Sequence, residues 1–374
     1  MVNRSNELRQ NNRECILREI LVQEQISRQE IIEKTGLAPS TVSSIMSEIL
    51  DEKIIRKSGQ LSSPGTGRKT DLFSRNGSHV QILVLNLTFE SNRISIVDLE
   101  LKIKEEWDFE IRDYNPDAVS ITLEKEIHKA LNSNKLNIQS IVLALPHYPY
   151  EKDYLRETIA EKTGLRVFSI NNVEAMGLYD SRYSYKLFNS LVYVFVGKGI
   201  GSAFFNKGEL LMGENGYASD LGHIHITDRG FECRCGRQGC LETVSSEDAL
   251  SRALMENTGG QTLLKGQELI DEIQKQIDMR NQDVQNLLSD AASYLAESFL
   301  TLISLLDPQA IILTGRITAL NPFFSQKLEE YLYSKSGRRS VYANKLIYQD
   351  YRADSAVKGA ALYAFLSAYG GLNK

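Results

Sequence analysis

Three cysteines fall within Cys233-Arg234-Cys235-Gly236-Arg237-Gln238-Gly239-Cys240, and His223 precedes the first of them by a nine-residue gap. Three thiolates and one imidazole supply the four soft donors of a tetrahedral Zn2+ shell, and softness favours zinc over iron. Gly236 and Gly239 let so short a loop fold back on itself, so that its sulfurs converge. Four protein ligands leave no coordination position for water. The expected site is therefore structural rather than hydrolytic, with metal binding contributing on the order of 10 kcal/mol to local folding. Buried free cysteines or a redox switch are the competing readings, and the density of cysteines with glycines between them decides for metal. His225 rivals His223, because on a strand the two residues share a face.

A second constellation lies near the N-terminus. Ile16, Leu17, Ile20 and Leu21 recur at helical spacing, and Ser27 with Glu30 three residues on reads as a capping box opening a second helix, Arg28–Thr35. Gly36 suits the positive φ of a tight inter-helix turn, and Pro39 suits the first position of a third helix, although Ala38 before it is a poor cap. On this third helix Val42, Ile45, Ile49 and Leu50 form the expected buried face. Ser40, Thr41, Ser43, Ser44 and Ser47 are then left outward as short hydroxyls that can enter a major groove and reach phosphates and base edges. Ile54 and Ile55 with Arg56 and Lys57, then a Ser/Gly/Pro-rich run over 59–68, then Leu72 and Phe73, predict two short strands around a wing. Arg68 and Lys69 stand at its tip, placed to follow a phosphate backbone. A bare three-helix packing module with a solvated loop is the plain alternative. The turn glycine, the element lengths and the basic wing together favour DNA binding.

The rest of the chain must position the metal ligands. At 374 residues, with 42% apolar and 24% charged, the chain is too long for one core and is composed like an ordinary globular protein. Net charge is −5, unevenly shared: residues 1–75 hold 12 Lys and Arg against 10 Asp and Glu, a balance of +2, which leaves −7 for the remainder. Only the first segment is electrostatically suited to DNA. No run approaches the ~20 consecutive apolar residues of a membrane span, and residues 1–12 are polar rather than a signal peptide. A membrane partner is not expected, and the clustered cysteines fit a reducing cytoplasm. From Val80 onward, apolar runs at Gln81–Leu87, 93–98, 141–145, 191–196 and 310–313 alternate with helical stretches over 118–131, 154–162 and 284–306. The fold class is therefore α/β with mixed sheets, and two similar lobes are expected. Gly197, Gly199 and Gly201 after an apolar strand suit either a hairpin turn or the close approach of an anion.

Leu221-Gly222-His223 followed by Cys233-x-Cys235-Gly236-x-x-Gly239-Cys240-x-Glu242 resembles the zinc signature of the ROK family of repressors, open reading frames and kinases. Thr35-Gly36-Leu37 with Ser40-Thr41-Val42-Ser43 resembles its repressor helix-turn-helix. The resemblance implies a winged helix-turn-helix over residues 1–75 followed, over 76–374, by a two-lobed actin-like, sugar-kinase-like domain with a zinc loop, a sugar-binding cleft, and homodimers or homotetramers. Against the family's kinases it also implies lost chemistry. Asn86, Leu87, Thr88, Phe89 and Glu90 stand where a phosphate loop is usual. Asn171-Asn172 stands where an Asn-Asp pair supplies the base, and an amide cannot take a proton from a hydroxyl. Thr314-Gly315-Arg316 stands where glycines contact adenosine. The family's sugar-hydroxyl ligands map onto Asn171, Asn172, Asp220, His223 and Glu242. Asp220 replaces Glu, and His147 after Pro146 replaces a glycine. The expectation is a non-enzymatic repressor of carbohydrate genes that binds double-stranded operator DNA and answers to a sugar or sugar derivative. A sugar kinase carrying a DNA-binding appendage, or a regulator governed by a protein partner, are the alternatives.

Overall fold

The computed structural model describes residues 4–62, 69–88, 90–133, 137–146, 150–214, 216–259, 262–336 and 345–371. The chain forms two compact units, one comprising residues 1–185 with 354–374 and the other residues 186–353.

The first unit opens with α1 (Arg4–Leu21), β1 (Ile26–Ser27), α2 (Arg28–Thr35) and α3 (Pro39–Asp51), followed by β2 (Ile55–Ser62) and β3 (Lys69–Arg75). Ser27 caps α2 with the full capping box to Glu30, and Gly36 closes it at φ 66°, so that the second helix begins and ends where its sequence requires. Pro39 starts α3 without any side-chain cap from Ala38. The buried face of α3 is Val42, Ile45, Met46 and Ile49. Leu50, expected in that face, is only half-buried. With Val42 at i, the buried positions are i, i+3, i+4 and i+7, and Leu50 at i+8 falls on the edge of the stripe, about 40° beyond Met46. The two wing strands pair antiparallel, and β1 adds to the free edge of β3 to make a three-stranded sheet.

The same unit continues through β4 (Gln81–Leu87), β5 (Asn92–Asp98), β6 (Ile103–Phe109), α4 (Pro116–Ser133), β7 (Ile138–Ala144), α5 (Lys152–Thr163), β8 (Arg166–Ile170) and α6 (Asn172–Tyr183). Its sheet has the order β6-β5-β4-β7-β8, antiparallel through β4 to β6 and parallel on the other side. Leu83, Leu85, Ile141 and Leu143 face Val119, Leu123 and Ile127 of α4 and Ile159 of α5. Covered on both faces, β4 and β7 read as nearly unbroken apolar runs rather than as alternating ones.

The second unit contains β9 (Ser190–Val196), β10 (Ile200–Asn206), β11 (Glu209–Leu210), a 3-10 turn at Leu221–His223, α7 (Glu242–Ser245), α8 (Glu247–Thr258), α9 (Gly266–Asp278), α10 (Gln282–Leu306), β12 (Ala310–Thr314), a 3-10 turn at Arg316–Leu320, α11 (Phe323–Ser336) and β13 (Leu346–Gln349). Its sheet, β11-β10-β9-β12-β13, repeats the strand order of the first. Val192, Val194, Ile311 and Leu313 pack on Leu288, Ala292, Leu295 and Phe299 of the long helix α10. The chain then returns to the first unit as α12 (Ser355–Tyr369), whose Gly359 lies so close to the Ala175 carbonyl of α6 that no side chain would fit there.

Candidate metal centre, DNA-facing helix and effector residues

His223 ends its short 3-10 turn, and the segment after it meets the cysteine loop through a single bridge between His225 and Cys240. His223 is thus not on a strand, and the facing rule that made His225 its rival does not apply. His225 is exposed, with Nε2 3.4 Å from Asp228 Oδ1. Gly236 (φ 80°) and Gly239 (φ 77°) make the two reversals of the loop, and Gly239 is pressed against the Thr227 carbonyl. These turns bring His223, Cys233, Cys235 and Cys240 together with all ligand atoms within 4.8 Å of one another. Cys233 Sγ lies 3.3 Å from His223 Nδ1, and the Cys235 and Cys240 sulfurs are 3.6 Å apart. A tetrahedron with metal-sulfur bonds of about 2.3 Å has edges of about 3.8 Å, near the separation of the Cys235 and Cys240 sulfurs, so the cluster could hold a metal ion.

The electrostatics of the cluster fit the same cargo. Burial, reinforced by the Glu242 carboxylate, pushes the Cys233 thiol up, and burial likewise raises Cys240. Burial also opposes ionisation of Cys235, but hydrogen bonding from Arg237 outweighs it and holds this thiol at about 6. One thiolate forms readily beside Arg237, and a divalent cation would offset the charge of the other two. Arg237 also donates to the His223 carbonyl at 2.9 Å, tying both ends of the ligand set. Its role was not anticipated from the sequence, although its position inside the cysteine loop was the available signal.

Glu242 is buried at the start of α7, where Oε1 accepts from Cys233 Sγ at 3.1 Å and lies 3.7 Å from His223 Nδ1. Its other oxygen is 3.9 Å from Arg234 Nη2. Gly199 of the β9–β10 turn sits directly against that oxygen, leaving no room for a Cβ. The Gly197–Gly199 segment is a hairpin turn, with Val196 paired to Ile200 and the Gly197 amide donating to the Gly199 carbonyl. Asp220 precedes the turn that carries His223.

Asn171 and Asn172 lie in the first unit. Asn171 caps α6, its Oδ1 accepting from the Val173 amide at 2.8 Å while Glu174 receives the Asn171 amide in return. Asn172 is buried, and its Nδ2 donates to the Leu87 carbonyl at 3.1 Å. At the β4–β5 turn, Thr88 Oγ1 accepts from the amides of Glu90 and Ser91. Amides that a phosphate loop would turn toward its ligand are thus bonded within the turn. Phe89 and His147 lie outside the described residues.

On α3, Ser40, Ser43, Ser44 and Ser47 are exposed and Thr41 is half-buried, on a helix whose opposite face is in the core. Lys69 is exposed at the start of β3, and Arg68 lies outside the described residues.

Two five-stranded α/β sheets of identical strand order, here preceded by a helix-turn-helix module, are the actin-like, sugar-kinase fold of ROK proteins. The chain belongs to the ROK family, whose model matches residues 120–365. It is 25% identical over 343 residues to the xylose repressor of Bacillus spizizenii, covering 87% of each chain. It is 23% identical over 315 residues to the transcriptional dual regulator NagC of Escherichia coli K12, covering 78% of this chain and 77% of NagC. Among solved structures, a ROK family transcriptional regulator described as a homologue of E. coli MLC superposes with a TM-score of 0.79 at 23% identity, covering 98% of both chains. The ROK hexokinase of Thermus thermophilus matches with a TM-score of 0.62 at 22% identity, over 77% of this chain and 99% of its own. Among the described residues no helix is long and apolar enough to cross a membrane.

Proposed function

We propose that the chain is a transcriptional repressor of carbohydrate genes that binds double-stranded operator DNA through α3 and the wing, and that a sugar or sugar derivative controls it. The observation that carries this reading is the row of exposed serines on α3, held outward by a fully buried opposite face and by capped entry into the preceding helix. Small hydroxyls at the start of a helix make contacts in a groove without blocking its entry. The relatives named as repressors of xylose and N-acetylglucosamine genes support the same assignment.

The metal in this reading is Zn2+, held by His223, Cys233, Cys235 and Cys240 as a closed structural site. It fixes the wall from which Glu242 and Asp220 would address a sugar hydroxyl. Asn171, Asn172 and His223 are the other residues proposed as effector ligands. The protein works in the cytoplasm as a homodimer or homotetramer, its paired winged modules reading half-sites of a near-palindromic operator.

The kinase reading draws on the hexokinase-like fold. Against it stand the amide of Asn172, already committed to Leu87, and the Thr88-bonded amides of the β4–β5 turn. One assay separates the readings. Genomic fragments selected by the purified, zinc-loaded protein are footprinted with and without D-xylose, N-acetylglucosamine, N-acetylglucosamine 6-phosphate and D-glucose, and the same sugars are offered with ATP in a coupled assay. Paired protected half-sites relieved by one sugar, with no turnover, are expected. ATP-dependent turnover without specific protection would overturn the repressor reading.

A further inference from the structure

Arg75, the last residue of β3, is buried, and its Nη1 donates to two acceptors: the Leu21 carbonyl at the end of α1 at 3.1 Å and the Tyr183 hydroxyl at the end of α6 at 2.9 Å. Its guanidinium also lies 5.9 Å from the centroid of the Tyr183 ring. Nε has no hydrogen-bond partner among the described residues, and the two Nη1 bonds are the ones that fix the guanidinium. A buried guanidinium that loses an acceptor pays the cost of desolvation without compensation, so the Leu21–Arg75–Tyr183 arrangement is set rather than incidental.

At its other end α6 begins with the Asn171 cap and with Asn172 fastened to Leu87 of β4. Between its ends it is stiffened by α12. Gly359 admits the Ala175 carbonyl at close range, and Tyr179 lies under the Lys358 ammonium at 5.5 Å and beside the Tyr183 ring at 4.7 Å. The far end of α12 reaches α1 too, where Arg18 donates to the Gly370 carbonyl through Nη2 at 3.0 Å. Twelve residues of helix span about 18 Å.

We propose that Arg75 and Tyr183 are positioning residues that couple the first turn of α6 to the DNA-binding module. In this arrangement α6 and α12 form one bar, with Asn171 and Asn172 at one end and the termini of α1 and β3 clamped at the other. A shift at the asparagine end is delivered to α1 and to the root of the wing. The coupling rests on the proposed function for its biological input, because Asn171 and Asn172 are effector ligands only in that reading. The mechanical link between the two ends stands apart from it.

The test uses the full chain in hydrogen-exchange mass spectrometry, with Asn171→Ala as a perturbation that needs no sugar. Loss of the cap should raise exchange in the first turn of α6, and should raise it about threefold over residues 20–26 as well. In a Tyr183→Phe background, which keeps the ring and removes the acceptor, the first turn should respond as before while the change over 20–26 falls below about 1.5-fold. Arg75→Lys, which keeps the charge but has one donor group in place of the planar fork, should behave like Tyr183→Phe. An equal change over 20–26 in all backgrounds, or none in the parent chain while α6 loosens, overturns the coupling. The sugar arm is read separately by operator binding with the four sugars named above. If none of them alters DNA binding, the effector reading fails and the exchange result still decides the link. If one does, Tyr183→Phe should bind that sugar as tightly but lose at least about fivefold of its effect on operator affinity.

Discussion

The two five-stranded sheets have the same strand order, yet their first hairpins are closed in different ways. In the first unit the β4–β5 turn is bonded inward by the Thr88 hydroxyl, and Asn172 fastens α6 to the end of β4. In the second, the β9–β10 turn is stripped to glycine at Gly197 and Gly199 and lies against Glu242 of the metal loop. Strand order follows from which apolar faces must be buried and from short connections, so it is retained when the loops change. The turns at the strand ends carry no such burden, and their chemistry is free to diverge.

The largest effect should come from breaking the second unit's wall. Cys233→Ser is expected to abolish metal binding, read by native mass spectrometry, and to lower the unfolding transition of residues 186–353 in calorimetry, the loss being at most ~10 kcal/mol. Chelation of the parent protein should reproduce it. Metal content and melting both unchanged would remove the metal centre from the comparison.

In the first unit, Asn172→Asp sets a carboxylate oxygen where an amide now donates to the Leu87 carbonyl. A loss of about 1–3 kcal/mol in urea unfolding is expected, with no ATP turnover on any of the four sugars, because the β4–β5 amides remain bonded inward. Turnover in this variant would show that one side chain alone separates the two chemistries. Thr88→Val is gentler. It should cost about 0.5–1 kcal/mol, the turn being exposed, and speed amide exchange at Glu90 and Ser91, whereas unaltered exchange would mean that the hydroxyl does not hold the turn.

The smallest effect concerns acid. Burial would raise the Glu100 carboxyl, but Lys102 and Arg56 overcome this and hold it at about 2, below its ordinary 4.5. A depressed carboxyl contributes its full stabilisation above the ordinary value and loses it as pH falls from about 4.5 toward 2. Since Arg56 belongs to the wing strand β2 and Glu100 to the β5–β6 turn, 2.8 Å away, acid should loosen the wing root of the first unit. The fluorescence of Trp107, the single tryptophan, should report a change over that window that Glu100→Gln reduces. Identical acid titrations of the two proteins would count against this tether.

Much of the architecture was legible from local pattern. The capping box at Ser27, the glycine turn at Gly36 and the strand Gln81–Leu87 all stand where the spacing placed them, because each is set by contacts within a few residues. Met46 was missed and Leu50 misplaced on α3, since the choice between adjacent apolar positions depends on what lies opposite the helix. His225 was an open rival for the metal until the backbone around 223 proved to be a 3-10 turn, a conformation that alternation along a strand does not anticipate. The β1 edge strand was not expected at all, two residues being too short to give a period.

The sequence by itself determined the donor set Cys233, Cys235 and Cys240, the helix-turn-helix and the repeated α/β pattern, since these depend on residue type and short-range spacing. Only the tertiary structure decided that His223 completes the cluster, that Arg237 ties its ends, that Thr88 closes the β4–β5 turn, and that Arg75 joins Leu21 to Tyr183. The last of these joins residues 54 and 108 positions from Arg75. Contacts at that separation are fixed by how helices and sheets pack, and no local period records them.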